Sequence, residues 1–348
     1  MRKLLALLAL MAMLIPAAHA AELSLPYAAS TVLSVADLTA AQRDLAHFLY
    51  TPVFNGESKI TLPKGARYDD VSAAMEALMQ DYPELFHLGR DYTIGYYSNR
   101  PEIATWVEPQ YRLSPQDAAD ARAVLYAQAY LLADAAPDAV ALHDRLCSLV
   151  TYGGDTELRH TAVGALLQGQ ATCEGYAQAL TLLYRMAGIP CGVVVGEATD
   201  SAGVTERHSW NIANIGGYTL IDATWNDQNH LGLNTHWYFG LSAGQMGVDH
   251  TPDADQRIPP CSDQANWHRV NGQIITTQAE ADAAIRRLVD GEALNLRITD
   301  AALYTALAQD TYGYLGGYND RHPEHAFYGA YSMTCSDAQM CIILQRAE

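Results

Sequence analysis

Three short segments hold residue types that could do chemistry together. They are Ala171-Thr172-Cys173-Glu174-Gly175-Tyr176-Ala177, Arg207-His208-Ser209-Trp210-Asn211 and Ile221-Asp222-Ala223-Thr224-Trp225. A thiol attacks an amide carbonyl as the thiolate, so it needs an imidazole as proton partner. The imidazole needs a third group to fix its tautomer and orientation. A Cys, a His and an Asp in this order point to acyl transfer on amide bonds through a thioester, with Cys173, His208 and Asp222 in those roles.

Each of the three must be positioned by an element. Gly169 and Gln170 break the segment before Cys173, and Ala177, Leu180, Leu183, Tyr184 and Ala187 then recur at helical spacing until Gly188-Ile189-Pro190. The pattern predicts Cys173 at a helix N-terminus. Unpaired backbone N–H groups there favour a thiolate and can bind an oxyanion. Glu174 suits the helix dipole but opposes thiolate formation if it lies close.

Ser209 to Ile215 and Tyr218 to Ala223 read as strands joined through Gly216-Gly217. A two-residue loop would send His208 and Asp222 to opposite faces. A loop of Ile215 to Gly217 puts Trp210 opposite Asp222 and His208 diagonal to it. A loop of Asn214 to Gly216 puts His208 directly opposite. A shared site therefore requires an odd loop or a bulge.

The plainer roles are a buried hydrophobe for Cys173, a packed ring for His208 and a cap for Asp222. It is their joint order that argues for a site. Tyr176, Trp210 and Trp225 either line a substrate groove or pack the core behind it. Cys191 falls in a buried strand.

The segments Cys173-Glu174-Gly175-Tyr176-Ala177-Gln178-Ala179-Leu180, His208-Ser209-Trp210-Asn211 and Asp222-Ala223-Thr224-Trp225-Asn226-Asp227 resemble the transglutaminase-like superfamily, most closely its bacterial secreted branch. His143-Asp144-Arg145-Leu146 with Tyr152, and Thr161 to Leu166, resemble the lead-in of that branch. The resemblance covers about residues 135 to 230. It implies an α+β, papain-like core in which a helix with the cysteine at its N-terminus packs on an antiparallel sheet. It also implies Cys173 as nucleophile, His208 as general base and acid, and Asp222 as orienting carboxylate. A glutamine upstream of the nucleophile completes the oxyanion site in papain-like enzymes, which makes Gln168 and Gln170 candidates here. Some members have lost catalysis, so an inactive binding or assembly module is the alternative.

The rest of the chain sets the frame. At 348 residues it divides into residues 1–20 as a signal peptide, 21–112 as an accessory α+β region, 113–262 as the catalytic domain and 263–348 as a C-terminal α+β region. Arg2 and Lys3, an apolar run from Leu4 to Ile15, and Ala18-His19-Ala20 form the export pattern, which predicts a secreted or periplasmic protein. No later segment is long enough to span a membrane. Removing the leader takes the net charge from −18 to −20, which argues against nucleic-acid or anionic-membrane partners; the amide chemistry makes a protein or cell-wall peptide the expected substrate.

Besides Cys173 there are Cys147, Cys191, Cys261, Cys335 and Cys341; Cys335 and Cys341 flank a turn and are candidates to pair across a hairpin. No Cys-x-x-Cys occurs, His230, His236 and His250 lack ligand spacing, and no clustered His and carboxylate ligands are apparent, so no metal or cofactor is expected. The helix, strand, helix order after Thr277 echoes residues 40 to 82, with Gly56 and Gly291 before the strands.

Overall fold

The computed structural model describes residues 25–136, 138–228 and 233–347. The leader reading of residues 1–20 and His230 lie outside these. Pro137 is also outside. The helix Ala139–Leu149 that follows is capped by the Asp138 side chain, which accepts from the Ala141 N–H.

The chain folds as α+β, as expected. The central sheet has five antiparallel strands in the order Phe239–Leu241, Tyr218–Ile221, Thr205–Asn214, Cys191–Thr199, His250–Pro252. The helix Cys173–Met186 packs against it. Leu180, Leu182 and Leu183 of that helix are fully buried, among Leu142, Leu146, Ile221 and Phe239. Burying side chains of this size stabilises by about 1.5–3 kcal/mol each. The helix ends where the Gly188 backbone turns left-handed, at φ 76°.

A lobe precedes this core. Its helices Ala40–Phe54 and Tyr68–Asp81 cover a sheet of Ile60–Thr61, Arg100–Tyr111 and Leu88–Tyr97, in that spatial order. Thr39 and Gln42 close a capping box on the first helix. Pro109 lies within the long strand. The short partner strand reaches only Val107, opposite Ile60, so its pairing ends before the proline.

A second lobe follows the core. Helices Gln278–Val289, Ala301–Gln309 and Thr311–Arg321 pack on a sheet ordered Ile274–Ile275, Leu294–Ile298, Cys341–Arg346, Tyr331–Ser336. Setting aside the short Ile274–Ile275 strand, this lobe repeats the first. Each runs helix, strand, helical segment, strand, strand, and in each the first strand pairs with the third, which pairs with the second, all antiparallel. The echo in the sequence is thus an echo in topology. Gly56 and Gly291 hold positive φ after the first helix of each lobe, at 73° and 98°.

The C-terminal hairpin forms, but not with the expected cysteine pairing. Ser336 stands opposite Cys341, and Cys335 opposite Ile342. One residue of offset sends the two thiols to opposite faces. Cys341 is buried against the core, whereas Cys335 is exposed.

Both lobes are tied to the core by side-chain bonds to backbone. Gln178 donates to the Met79 and Gln80 carbonyls at 3.0 and 3.1 Å, and Gln80 donates to Val193 O at 2.7 Å. On the other side Arg297 donates to Trp237 O and Asn295 to Thr235 O, both at 2.7 Å. Among the described residues no helix is long and apolar enough to cross a membrane.

Candidate active site

Cys173 is the first residue of its helix, with Thr172 at the cap position. The backbone N–H groups of a first helical turn have no intrahelical acceptor, so they face whatever approaches the thiol. Cys173 is half-buried at the floor of a cleft of about 590 Å³.

His208 and Asp222 come together through the loop parity. The hairpin pairs Asn214 with Tyr218 and Asn211 with Ile221, which leaves Ile215, Gly216 and Gly217 as a three-residue loop. Gly216 and Gly217 take φ of 71° and 149°, and the Ile215 N–H donates to Gly217 O. Continuing the register sets Trp210 opposite Asp222 and His208 diagonal to it, one of the arrangements derived from the sequence. The two side chains close the diagonal: His208 Nε2 lies 2.7 Å from Asp222 Oδ2. Asp222 is also the cap of the short helix Ala223–Asn226, where its Oδ1 accepts from the Thr224 and Trp225 N–H groups at 2.9 and 3.2 Å. Both oxygens are thereby fixed.

With Nε2 committed to Asp222, the other ring nitrogen of His208 is left for the Cys173 thiol, which lines the same cleft. Burial alone would push the His208 pKa down. The Asp222 charge and hydrogen bond, with the Cys173 contact, outweigh it and raise the value to about 10. Asp222 is fully buried, which favours its neutral form, yet His208 and His250 hold it well below the usual carboxylate range. The site therefore favours an ionised Asp222 beside an imidazolium.

The remaining candidates divide. Trp210 and Tyr176 are buried; Trp210 stacks at 6.2 Å on His208, and the Tyr176 hydroxyl donates to Val150 O and Asp227. Neither lines the cleft. Trp225 is half-buried with its ring 5.4 Å from His208. Gln168 is exposed and accepts from Thr156 Oγ1 at 2.9 Å, and Gln170 is exposed beside Gly154; neither lines the cleft with Cys173. Tyr152 does line it, carried there by the parallel bridge of Thr151–Tyr152 with Gln170–Ala171. The Glu174 carboxylate contacts Arg90 of the first lobe and lies 3.7 Å from His160 Nδ1, so its charge is met by the Arg90 guanidinium.

Sequence spacing gave no His and carboxylate clusters, but among the described residues the fold makes two: His208, Asp222 and His250, and His143, Asp144 and His236. Chain-distant strands and loops bring them together, which local spacing cannot register. Neither has the look of a metal cage. In the second, the Tyr238 N–H donates to Asn226 Oδ1, so the Asn226 amide nitrogen faces His143 Nε2 at 3.0 Å. That nitrogen must accept, and Nδ1–H then donates to Asp144 at 2.9 Å, leaving it no lone pair for a metal. His250 was not singled out as a site residue from the sequence. It enters by pairing opposite Ala198 at the sheet edge, and its Nε2 lies 3.2 Å from the same Asp222 oxygen.

No curated protein matches the chain. Among solved structures, one titled as a TGase is 13% identical over 40% of this chain and 45% of its own, with a TM-score of 0.27. The periplasmic domain of TgpA from Pseudomonas aeruginosa is 20% identical over 36% of this chain and 55% of its own, with a TM-score of 0.23. The chain thus spans about half the length of these two. The family model of the transglutaminase-like superfamily matches residues 102–223, a stretch that holds Cys173, His208 and Asp222. Across residues 102–223, then, this chain is similar to the transglutaminase-like superfamily.

Proposed function

We propose that this protein is an exported cysteine enzyme that cleaves amide bonds by acyl transfer, with water favoured over an amine as acceptor. The observation that carries this reading is the His208 Nε2 to Asp222 Oδ2 contact of 2.7 Å, in a buried pair whose imidazole lines the same cleft as the half-buried thiol of Cys173. His208 takes the thiol proton. The Cys173 sulfur adds to the amide carbonyl, and its own backbone N–H faces the oxyanion that forms. Tyr152, on the same cleft, supplies a second donor in place of Gln168 or Gln170. The C–N bond then breaks as His208 returns the proton to the leaving amine, and a thioester remains. His208 next deprotonates water, which cleaves the thioester and restores the thiol. An amine in place of water would give cross-linking through the same steps; no feature of the cleft selects an amine over water, and water is always present.

Export rests on the Arg2-Lys3, Leu4 to Ile15 and Ala18-His19-Ala20 pattern. A protein or cell-wall peptide as substrate fits a cleft walled by two parts of the chain, with Glu76 and Gln80 from the first lobe facing Cys173 and His208.

The test is the pH dependence of Cys173 alkylation by iodoacetamide, located by peptide mass, in the mature protein and in His208→Ala. The expected result is fast labelling well below the ordinary thiol value of about 8.5, slowed by the substitution. Labelling that follows an ordinary thiol and ignores His208→Ala would overturn the enzyme reading in favour of a binding module.

A further inference from the structure

The Asp222 carboxylate serves two imidazoles. Oδ1 is taken by the backbone N–H groups of Thr224 and Trp225, and Oδ2 receives His208 at 2.7 Å and His250 at 3.2 Å. The other His250 nitrogen, Nδ1, lies 2.6 Å from Asp249 Oδ1. Ionised carboxylates only accept hydrogen bonds. A ring with an ionised carboxylate on each nitrogen must donate from both, and is therefore an imidazolium.

The groups facing His250 are few. Asp249 is its neighbour in sequence, Asp222 and His208 come from the central strands, and Tyr238 donates its hydroxyl to Asp249 Oδ2 at 2.7 Å. From the C-terminal lobe Gln339 reaches Asp249, with Arg297 behind it on the Gln339 carbonyl oxygen at 3.3 Å. The strand beside it offers Ala198. The rings of Trp210 and Trp225, at 5.0 and 4.5 Å, close the remaining sides, and the residue is only 2% exposed. Water does not screen this charge, and the catalytic imidazole lies ring to ring with it at 5.4 Å.

We propose that His250, held as an imidazolium between Asp222 and Asp249, is a positioning residue that fixes Asp222 and sets the proton affinity of the Cys173–His208 pair. This rests on the acyl-transfer reading above. A fixed cation at this distance opposes a proton on His208 and favours the thiolate on Cys173. It also keeps Asp222 ionised, so the carboxylate orients His208 without taking its proton. The C-terminal lobe contributes by covering the Asp249 end, which gives that lobe a role in the site although it supplies no residue to the cleft lining around Cys173 and His208.

The test pairs two measurements on the full mature protein. In His250→Gln the glutamine amide can still donate to Asp222, but the charge is gone. The pH midpoint of Cys173 alkylation should move up by about 1–2 units, with a cooperative thermal transition retained. A packing role alone would lower stability and leave the midpoint in place. In the unsubstituted protein, nitrogen NMR of labelled histidine should find His250 protonated on both ring nitrogens at pH 8, well above the ordinary histidine value of about 6.5. If the variant does not fold, that spectrum decides. A singly protonated His250 at pH 8, or an unmoved midpoint in a folded variant, overturns the proposal. The two readings fail separately. Labelling in the unsubstituted protein that ignores His208→Ala sinks the enzyme reading, whereas labelling that responds to His208→Ala but not to His250→Gln sinks only the role of His250.

Discussion

At the scale of single residues, Asp222 joins two tasks in one carboxylate. One oxygen caps a helix, the other holds imidazole, and the cap prevents the side chain from turning away. This makes Asp222→Asn informative. The asparagine oxygen can still accept the Thr224 and Trp225 N–H groups, so the local fold should survive. The charge that lifts His208 is lost. His208 should then titrate well below its value of about 10, toward the ordinary 6.5 and lower still because it is buried. Turnover of an amide substrate should fall by roughly two to four powers of ten, the worth of general acid–base catalysis. NMR titration of the His208 ring checks the first expectation. A ring that still holds its proton above pH 9 in the variant would show that Asp222 is not what sustains it.

At the scale of elements, the site depends on how the start of the Cys173–Met186 helix beds into the segment before it. Gly175 is central to this. A Cβ there would meet Arg159 O at 2.3 Å and the Ala171 Cβ at 2.8 Å. Gly175→Ala should therefore push the first turn outward, destabilise the fold by about 1–3 kcal/mol, and slow Cys173 labelling at neutral pH. Denaturant midpoints and alkylation rates measure the two effects; an unchanged midpoint would mean the helix start has room to spare. The sequence disclosed this helix well, because apolar spacing after Cys173 and the stop at Gly188 are local signals. Hairpin parity narrowed His208 and Asp222 to an odd loop, since strand alternation is strict. His250 and Asp249 were not legible as site residues. They reach Asp222 through pairing of His250–Pro252 with Ala198–Gly196, some fifty residues apart in the chain, and no local period encodes such a contact. The glutamines upstream of Cys173 do not line the cleft: Gln168 accepts from Thr156, and Gln170 is exposed on its short strand, placements set by contacts that local spacing does not encode.

At the scale of the whole molecule, two lobes of like topology clamp the core from opposite sides, and each buries histidines at or near its seam. His87 in the first lobe donates to Val53 O, while its other nitrogen faces the Arg122 guanidinium at 3.3 Å. Burial, with Arg122 adding to it, lowers its pKa to about 4. His268, between the core and the second lobe, bonds Asn295 at 3.0 Å, and burial lowers its pKa to about 3. Unfolded, both rings take a proton near pH 6.5. Between there and pH 4 the unfolded chain binds protons that the folded chain refuses, so each histidine makes stability fall with pH by about 1.4 kcal/mol per unit. His208 drops out of this window, because its raised value gives a contribution fully present below pH 6.5. Asp81, pushed up to about 6 by burial, works in the opposite sense, so the histidine effect is best read as a difference. His268→Gln can keep the bond to Asn295 without a titrating ring. Urea unfolding of this variant and the parent at pH 6.5, 5.5 and 4.5 should find the parent losing more stability, with the gap widening by about 1.4 kcal/mol per pH unit. Parallel pH dependences would mean that His268 accepts its proton in the folded state, and that the seam between core and second lobe opens to water more readily than its packing implies.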